Sequence, residues 1–302
     1  MKMRSRDARR GRMRALTTAV SVVAGTATGG VLLWQGYQWA LDRFVYSNEA
    51  YAIRRLELRH EGRLRPDQIR QWANVHPGQN LLALDLDRVR YDLELNPWIA
   101  WADVEAHRPD GIRLTVWERE PVAQVVVWRF SVGDGRAWPE TNYLDAAGFV
   151  LPPLRREWVK PGESIDFSFL PQLVGLDGYP VIPGQVLRHR MAHAALELIR
   201  AYEWSSLYPL VDLDRVDVSG SHLLTGMLRQ GTEVTFATFD FERQMRHWRS
   251  IHDYGERHGL VAASLDLSIT NNLPVRWRTN AVSPESPPPR PAKPKRSPPR
   301  HV

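Results

Sequence analysis

With no cysteine anywhere in its 302 residues, the chain has only histidines and carboxylates for metal or acid–base chemistry. His189 and His193 stand four apart on a predicted helix, a spacing that can set two imidazoles on one metal. Arg190 follows His189 where a zinc-protease helix has its glutamate, and no third ligand is evident, so the pair reads as two surface histidines in a basic stretch. His247, His252 and His258 are five and six apart, which does not keep them on one helical face. Asp212, Asp214 and Asp217, or Asp85 and Asp87, would need a glycine at the sixth and a glutamate at the twelfth loop position to form a calcium-binding EF-hand, and neither run supplies both. Strand-flanking and helix-capping roles fit these carboxylates better.

Nucleophile chemistry finds no support either. There are four lysines, Lys2, Lys160, Lys293 and Lys295, and none completes a Ser-x-x-Lys motif. Gly-x-Ser-x-Gly, the P-loop and Gly-x-Gly-x-x-Gly are all missing. The sequence therefore predicts no catalytic residue, no metal, no cofactor and no enzyme. Twelve tryptophans remain as contact chemistry, most of them placed for core and sheet packing.

The elements that carry these residues are marked out by charge. The net charge is +6, but Met1–Arg14 alone holds one Lys and six Arg against Asp7, and Ala281–Val302 holds five basic residues against Glu285. What lies between is mildly acidic, so nucleic-acid binding is a weak reading. From Ala15 to Leu41 no residue is charged. As a helix that stretch would run roughly 40 Å, enough to cross a hydrocarbon layer of about 30 Å with some tilt. Trp34, Tyr37 and Trp39 cluster toward its far end, where amphipathic rings settle at the headgroups, and the basic residues before it keep the N-terminus in the cytoplasm. A cleaved signal peptide, cut in the small-residue stretch Ala24–Gly30, is the rival reading; the uncharged run continues well past that point, which favours an anchor.

Residues 42–120 alternate strand and helix signals. Ile53, Leu56 and Leu58 suggest a strand, and Pro66 opens a helix with Ile69 and Trp72 on one face. After the turn at His76–Asn80 a second helix follows, with Leu86, Val89, Leu93 and Tyr91 read as inward, ending before Pro97. Strands Ile99–His107 and Ile112–Glu118 come next, the second with Ile112, Leu114 and Val116 on one side and Arg113, Thr115 and Trp117 on the other. The order is β-α-α-β-β. Residues 121–280 read as a second, mixed β domain with flanking helices. Its predicted elements are strand Val122–Arg129, short strands Asn142–Leu144 and Phe149–Leu151, helix Arg188–Glu203, strands Val211–Val218, Leu223–Leu228 and Glu233–Ala237, helix Phe241–Arg257, and one last strand region, Ser264–Trp277. The tail 281–302 has eight prolines and is predicted disordered.

Several motifs resemble the bacterial cell-division family FtsQ (DivIB in Gram-positive bacteria). They are Asn96-Pro97-Trp98-Ile99, Val104, Pro109-Asp110-Gly111-Ile112-Arg113-Leu114-Thr115-Val116 and Glu118-Arg119-Glu120-Pro121-Val122-Ala123. Gly78–Leu82, Tyr143-Leu144-Asp145, Leu170–Gly175, Asp266-Leu267 and Val275-Arg276-Trp277 are weaker matches. Departures are Arg108 and Ala106 in the first domain and Ser268-Ile269 after Asp266-Leu267, where the family usually has Arg-Tyr.

The resemblance implies an α+β protein: one transmembrane helix (15–41), a POTRA-like βααββ domain (42–120) and an FtsQ-type β domain (121–280). It implies a single-pass inner-membrane protein of the division septum, with its N-terminus cytoplasmic and its C-terminus periplasmic. Its partners would be small coiled-coil division proteins like FtsL and FtsB (DivIC), with other divisome proteins on the POTRA-like domain. The implied partner-binding residues lie on a last edge strand, Leu267, Ile269, Val275 and Trp277. Pro97, Trp98, Pro109, Glu118, Arg119 and Pro121 carry the POTRA family motif. A POTRA-bearing transport protein is the alternative, although such modules usually precede a β-barrel; a wall enzyme or sugar-binding module is a third, with no catalytic pair to support it.

Overall fold

A computed structural model describes residues 28–39, 49–130, 135–270 and 272–279, together with positions 26 and 133. Residues 28–39 are helical (α1), and Val31, Leu32, Leu33, Trp34, Tyr37 and Trp39 on it are all more than half exposed. Among the described residues no helix is long and apolar enough to cross a membrane. Part of the predicted span 15–41, and the tails 1–14 and 281–302, lie outside the described residues.

The described residues form two compact units, one drawn from Met1–His60, Ile69–Leu93 and Ala102–Val116, the other from Glu61–Gln68, Glu94–Trp101 and Trp117–Val302. The first holds β1 (Arg55–His60) and the greater part of α2 (Pro66–Ala73), α3 (Leu86–Glu94), β2 (Ile99–His107) and β3 (Gly111–Glu118), which follow one another in the predicted order. The sheet order is β1-β3-β2, with β1 parallel to β3. The alternation of β3 is reproduced: Ile112, Leu114 and Val116 are buried while Arg113 and Thr115 are not. On α3 the inward residues are Val89 and Leu93, one helical turn apart. Tyr91 is 61% exposed, the reverse of the prediction, because two residues at 100° each turn it about 200° away from Val89.

The second unit is built on one nine-stranded sheet, order β12-β11-β10-β9-β8-β7-β4-β5-β6. Its strands are β4 (Pro121–Phe130), β5 (Ala137–Asp145), β6 (Val150–Leu151), β7 (Gln172–Val174), β8 (Leu213–Asp217), β9 (Leu223–Leu228), β10 (Glu233–Ala237), β11 (Leu260–Asp266) and β12 (Val275–Thr279). Parallel neighbours need a crossover, and two helices supply it. α4 (Arg190–Trp204) joins the parallel strands β7 and β8, and α5 (Phe241–His258) joins β10 and β11.

Register fixes which residues reach the core. Asn142, Val125, Leu173, Val216, Gly226, Val234, Leu265 and Val275 form one continuous row across eight strands, and most are buried with the apolar faces of α4 and α5. The adjacent row, Tyr143, Gln124, Gln172, Arg215, Met227, Glu233, Ser264 and Arg276, points the other way, as the period of two requires. Gly226 sits in the core row because a Cβ there would lie 2.9 Å from the Phe236 ring.

Candidate partner-binding edge

The last hairpin of the sheet begins where α5 stops. Gly259, at φ 65°, ends the helix in the left-handed conformation that favours glycine, and the chain returns as β11 beside β10. The sequence predicts one continuous strand region from Ser264 to Trp277; the structure instead breaks it into β11 and β12 around a turn. Asp266 starts that turn by accepting the Ser268 N–H (2.9 Å) and hydroxyl (2.6 Å) on its carboxylate. Asn272 takes a positive φ of 58°, and Pro274 accepts the Asp266 N–H on its carbonyl (3.1 Å). β12 then pairs antiparallel with β11, with a register shift between Ala262 and Ser264.

The two ends of the nine-stranded sheet are finished differently. Beyond β6 the chain covers its own edge: Val150 donates to Gln185 O (2.9 Å), Gly184 donates to Val150 O (2.8 Å), and Phe149 bridges Val186. β12 ends the order at the other side, and among the described residues no strand pairs with its outer side. An edge strand exposes N–H and C=O groups that an added strand can satisfy.

The four residues predicted for this edge do not share one environment. Leu267 is 1% exposed, and its N–H is held by Thr235 O at 2.8 Å, so it is a core residue with nothing to offer a partner. Ile269 is 44% exposed in the turn. Val275 is half-buried against the core. Trp277 lies within β12 and is half-buried with its ring against α5, 5.7 Å from the Tyr254 ring. Tyr254 in turn stacks on His258 at 4.1 Å. Arg276 and Arg278, which are not among those four, are the exposed side chains of β12 among the described residues; their alternation with Val275 and Trp277 is the sequence signal that marks them.

The motif residues are engaged inside their units. Trp98 is buried, its ring 5.9 Å from Phe167 and 6.3 Å from Tyr143, and Pro97 beside it is half-buried. The Glu118 carboxylate accepts the backbone N–H groups of Arg63 (2.8 Å) and Leu64 (3.0 Å). Arg119 pairs with Asp145 at 2.8 Å and lies 3.9 Å over the Phe149 ring. Asp145 also accepts the N–H groups of Ala147 and Phe149. Pro121 opens β4 opposite Asp145. Pro109, in the first unit, is exposed between β2 and β3. Glu118 and Arg119 therefore work as a clasp in the second unit.

The profile of the POTRA domain, FtsQ-type, matches residues 51–119. Relatives called cell division protein FtsQ cover most of the chain. The one from Syntrophotalea carbinolica is 25% identical over 78% of this chain and 77% of its own length. That of Myxococcus fulvus is 27% identical over 87% and 85%, and that of Geobacter sp. (strain M21) is 30% identical over 69% and 70%. The chain belongs to the FtsQ family of cell division proteins.

Within this FtsQ chain His189 and His193 find structural uses. His189 Nδ1 accepts the Ala192 N–H (3.2 Å) as the N-cap of α4. His193 packs its ring against Gly148. Among the described residues, His252, Asp253 and Glu256 on α5 bring three donor atoms within 4.8 Å of one another. Asp253 is already paired with Arg249 at 2.7 Å.

Proposed function

We propose that this FtsQ protein is a bitopic inner-membrane scaffold of the division machinery that acts by protein contact, with its N-terminus in the cytoplasm and its two folded units in the periplasm. The uncharged run from Ala15 to Leu41, the basic residues before it and the exposed apolar and aromatic side chains of residues 28–39 support the anchor, since such surface is costly in water and at home in lipid. The observation that carries the reading is the outer side of β12, open among the described residues while the opposite edge of the same sheet is covered. On it, small coiled-coil division proteins of the FtsL and FtsB type add an extended segment, with Ile269, Val275 and Trp277 supplying side-chain contact. The POTRA-type unit takes a different divisome protein.

Tagging the cytoplasmic N-terminus with a fluorescent protein tests the placement: midcell bands are expected, and uniform membrane label returns the transport alternative. Co-purification of the coiled-coil partners with an Ile269→Arg variant tests the edge. Unchanged recovery removes Ile269 from the contact.

A further inference from the structure

Resting on the reading of β12 as a partner edge, we propose that the segment added there carries acidic side chains at alternate positions, facing Arg276 and Arg278. The two arginines are exposed on one side of the strand, two residues apart, and therefore on the same face. Their neighbours on β11 are Ser264 and Val261, neither of which bears charge. Among the described residues neither arginine has a carboxylate partner; Arg278 donates to Gln230 O at 2.6 Å and keeps its charge uncompensated. On this edge, already paired on its inner side, the Arg276 side chain makes no hydrogen bond or ion pair among the described residues, and Arg278 makes the one to Gln230. Next to an added strand, each would lie about 5 Å from the side chain directly opposite, where opposite charges attract and like charges repel.

The other side of the same strand makes the specification two-sided. Val275 and Trp277 alternate with the arginines and turn toward α5, where Tyr254 is 46% exposed. A matching segment therefore reads apolar, acidic, apolar, acidic. Lysine on the edge is a common guard against unwanted pairing; here two arginines leave pairing open to acidic strands and closed to basic ones.

The test uses the full chain in lipid nanodiscs and three synthetic peptides with identical apolar residues at odd positions. One has Glu at the even positions and one has Lys. The third is the Glu peptide with its backbone amides methylated. The Glu peptide is expected to bind about fivefold to tenfold more tightly than the Lys peptide at low salt, with the gap closing in 0.5 M salt, and methylation is expected to abolish binding. Arg276→Glu with Arg278→Glu should reverse the preference. Arg276→Glu alone, which leaves the Gln230 contact in place, should shrink it. Equal binding of Glu and Lys peptides, both lost on methylation, overturns the acidic preference and leaves the edge standing. If neither peptide binds, or methylation changes nothing, the edge reading falls and the preference with it.

Discussion

The Trp277 ring occupies the space where a side chain on Gly255 would be. A Cβ built on Gly255 would lie 2.8 Å from Trp277 Cζ3 and 2.7 Å from the carbonyl oxygen of Leu260. A glycine inside an 18-residue helix normally costs about 1 kcal/mol against alanine, so its presence here is explained by the edge strand it admits. Gly255→Ala is expected to lower stability by about 1–3 kcal/mol, the usual range for overpacking, and not to raise it as helix propensity alone would. Trp277→Leu combined with it should recover only part of the loss, because the backbone oxygen stays. Thermal melts of the two variants decide it, and a rise in Tm for Gly255→Ala would refute the packing argument.

Gln244 fastens the start of α5 to the end of β10. It is 1% exposed, accepts the Ala237 N–H at 3.0 Å, and donates to Ala237 O (3.2 Å) and Phe239 O (2.6 Å). Gln244→Leu keeps the bulk but leaves the Ala237 N–H without its partner, at a cost of about 1–3 kcal/mol. Gln244→Glu should also destabilise, since it removes the two donated bonds and buries a charge. Urea midpoints at neutral pH measure both.

The clasp at Arg119 and Asp145 is mostly buried, at 21% and 10% side-chain exposure. Asp145→Ala removes the ion pair and the two N–H contacts of the Asp145–Phe149 turn together, so about 3 kcal/mol or more is expected. Arg119→Met keeps the turn and should cost less. In a double-mutant cycle the two changes should fall well short of additive; additive losses would mean the pair is not coupled.

Regular alternation made the two faces of β3 legible, and the four-residue step from Val89 to Leu93 marked the inward side of α3. The Pro-Trp, Pro-Asp-Gly and Glu-Arg-x-Pro motifs pointed to the family before any geometry. What stayed hidden has physical reasons. β7 has three residues, too few for a period to register. The first half of β5, Ala137–Thr141, carries Pro139 and no apolar alternation, because it is exposed and half-exposed ribbon with no core face to mark. The turn between β11 and β12 is written in Asp266, Asn272 and Pro274, turn-forming types set among apolar residues that read as one strand region. The buried place of Leu267 depends on Thr235, thirty-two positions away, and no local pattern carries that.

Acid should weaken the POTRA-type unit in part through Asp110. Its carboxyl is held below the ordinary aspartate range, chiefly by the hydrogen bond from Arg55 (2.6 Å). Glu57 is lowered likewise by its bond from Arg113 (3.0 Å). A group whose pKa is depressed on folding stabilises above its unfolded value and loses that contribution as pH falls through the folded one. Stability should therefore decline from about pH 5 downward. Asp110→Asn should flatten the decline while lowering stability slightly at pH 7. Each pair has one well-exposed partner, Arg55 in one and Glu57 in the other, so water screens both and the effect is small and fades with salt. Denaturation at pH 7 and pH 3 in low and high salt checks the sign.

Hydrogen exchange separates the two ends of the large sheet. Val150 on β6 already donates to Gln185, so its amide should be slow to exchange whether or not a partner is present. Among the described residues β12 is paired on one side only. Alternate amides along Val275–Thr279 point outward and should exchange quickly in the free chain, while the inward set is protected by β11. A strand adding to the edge must slow the outward set, and it should do so without changing Val150. A partner that binds while the outward amides of β12 stay fast has docked by its side chains elsewhere, and the edge would then be a surface the fold merely leaves uncovered.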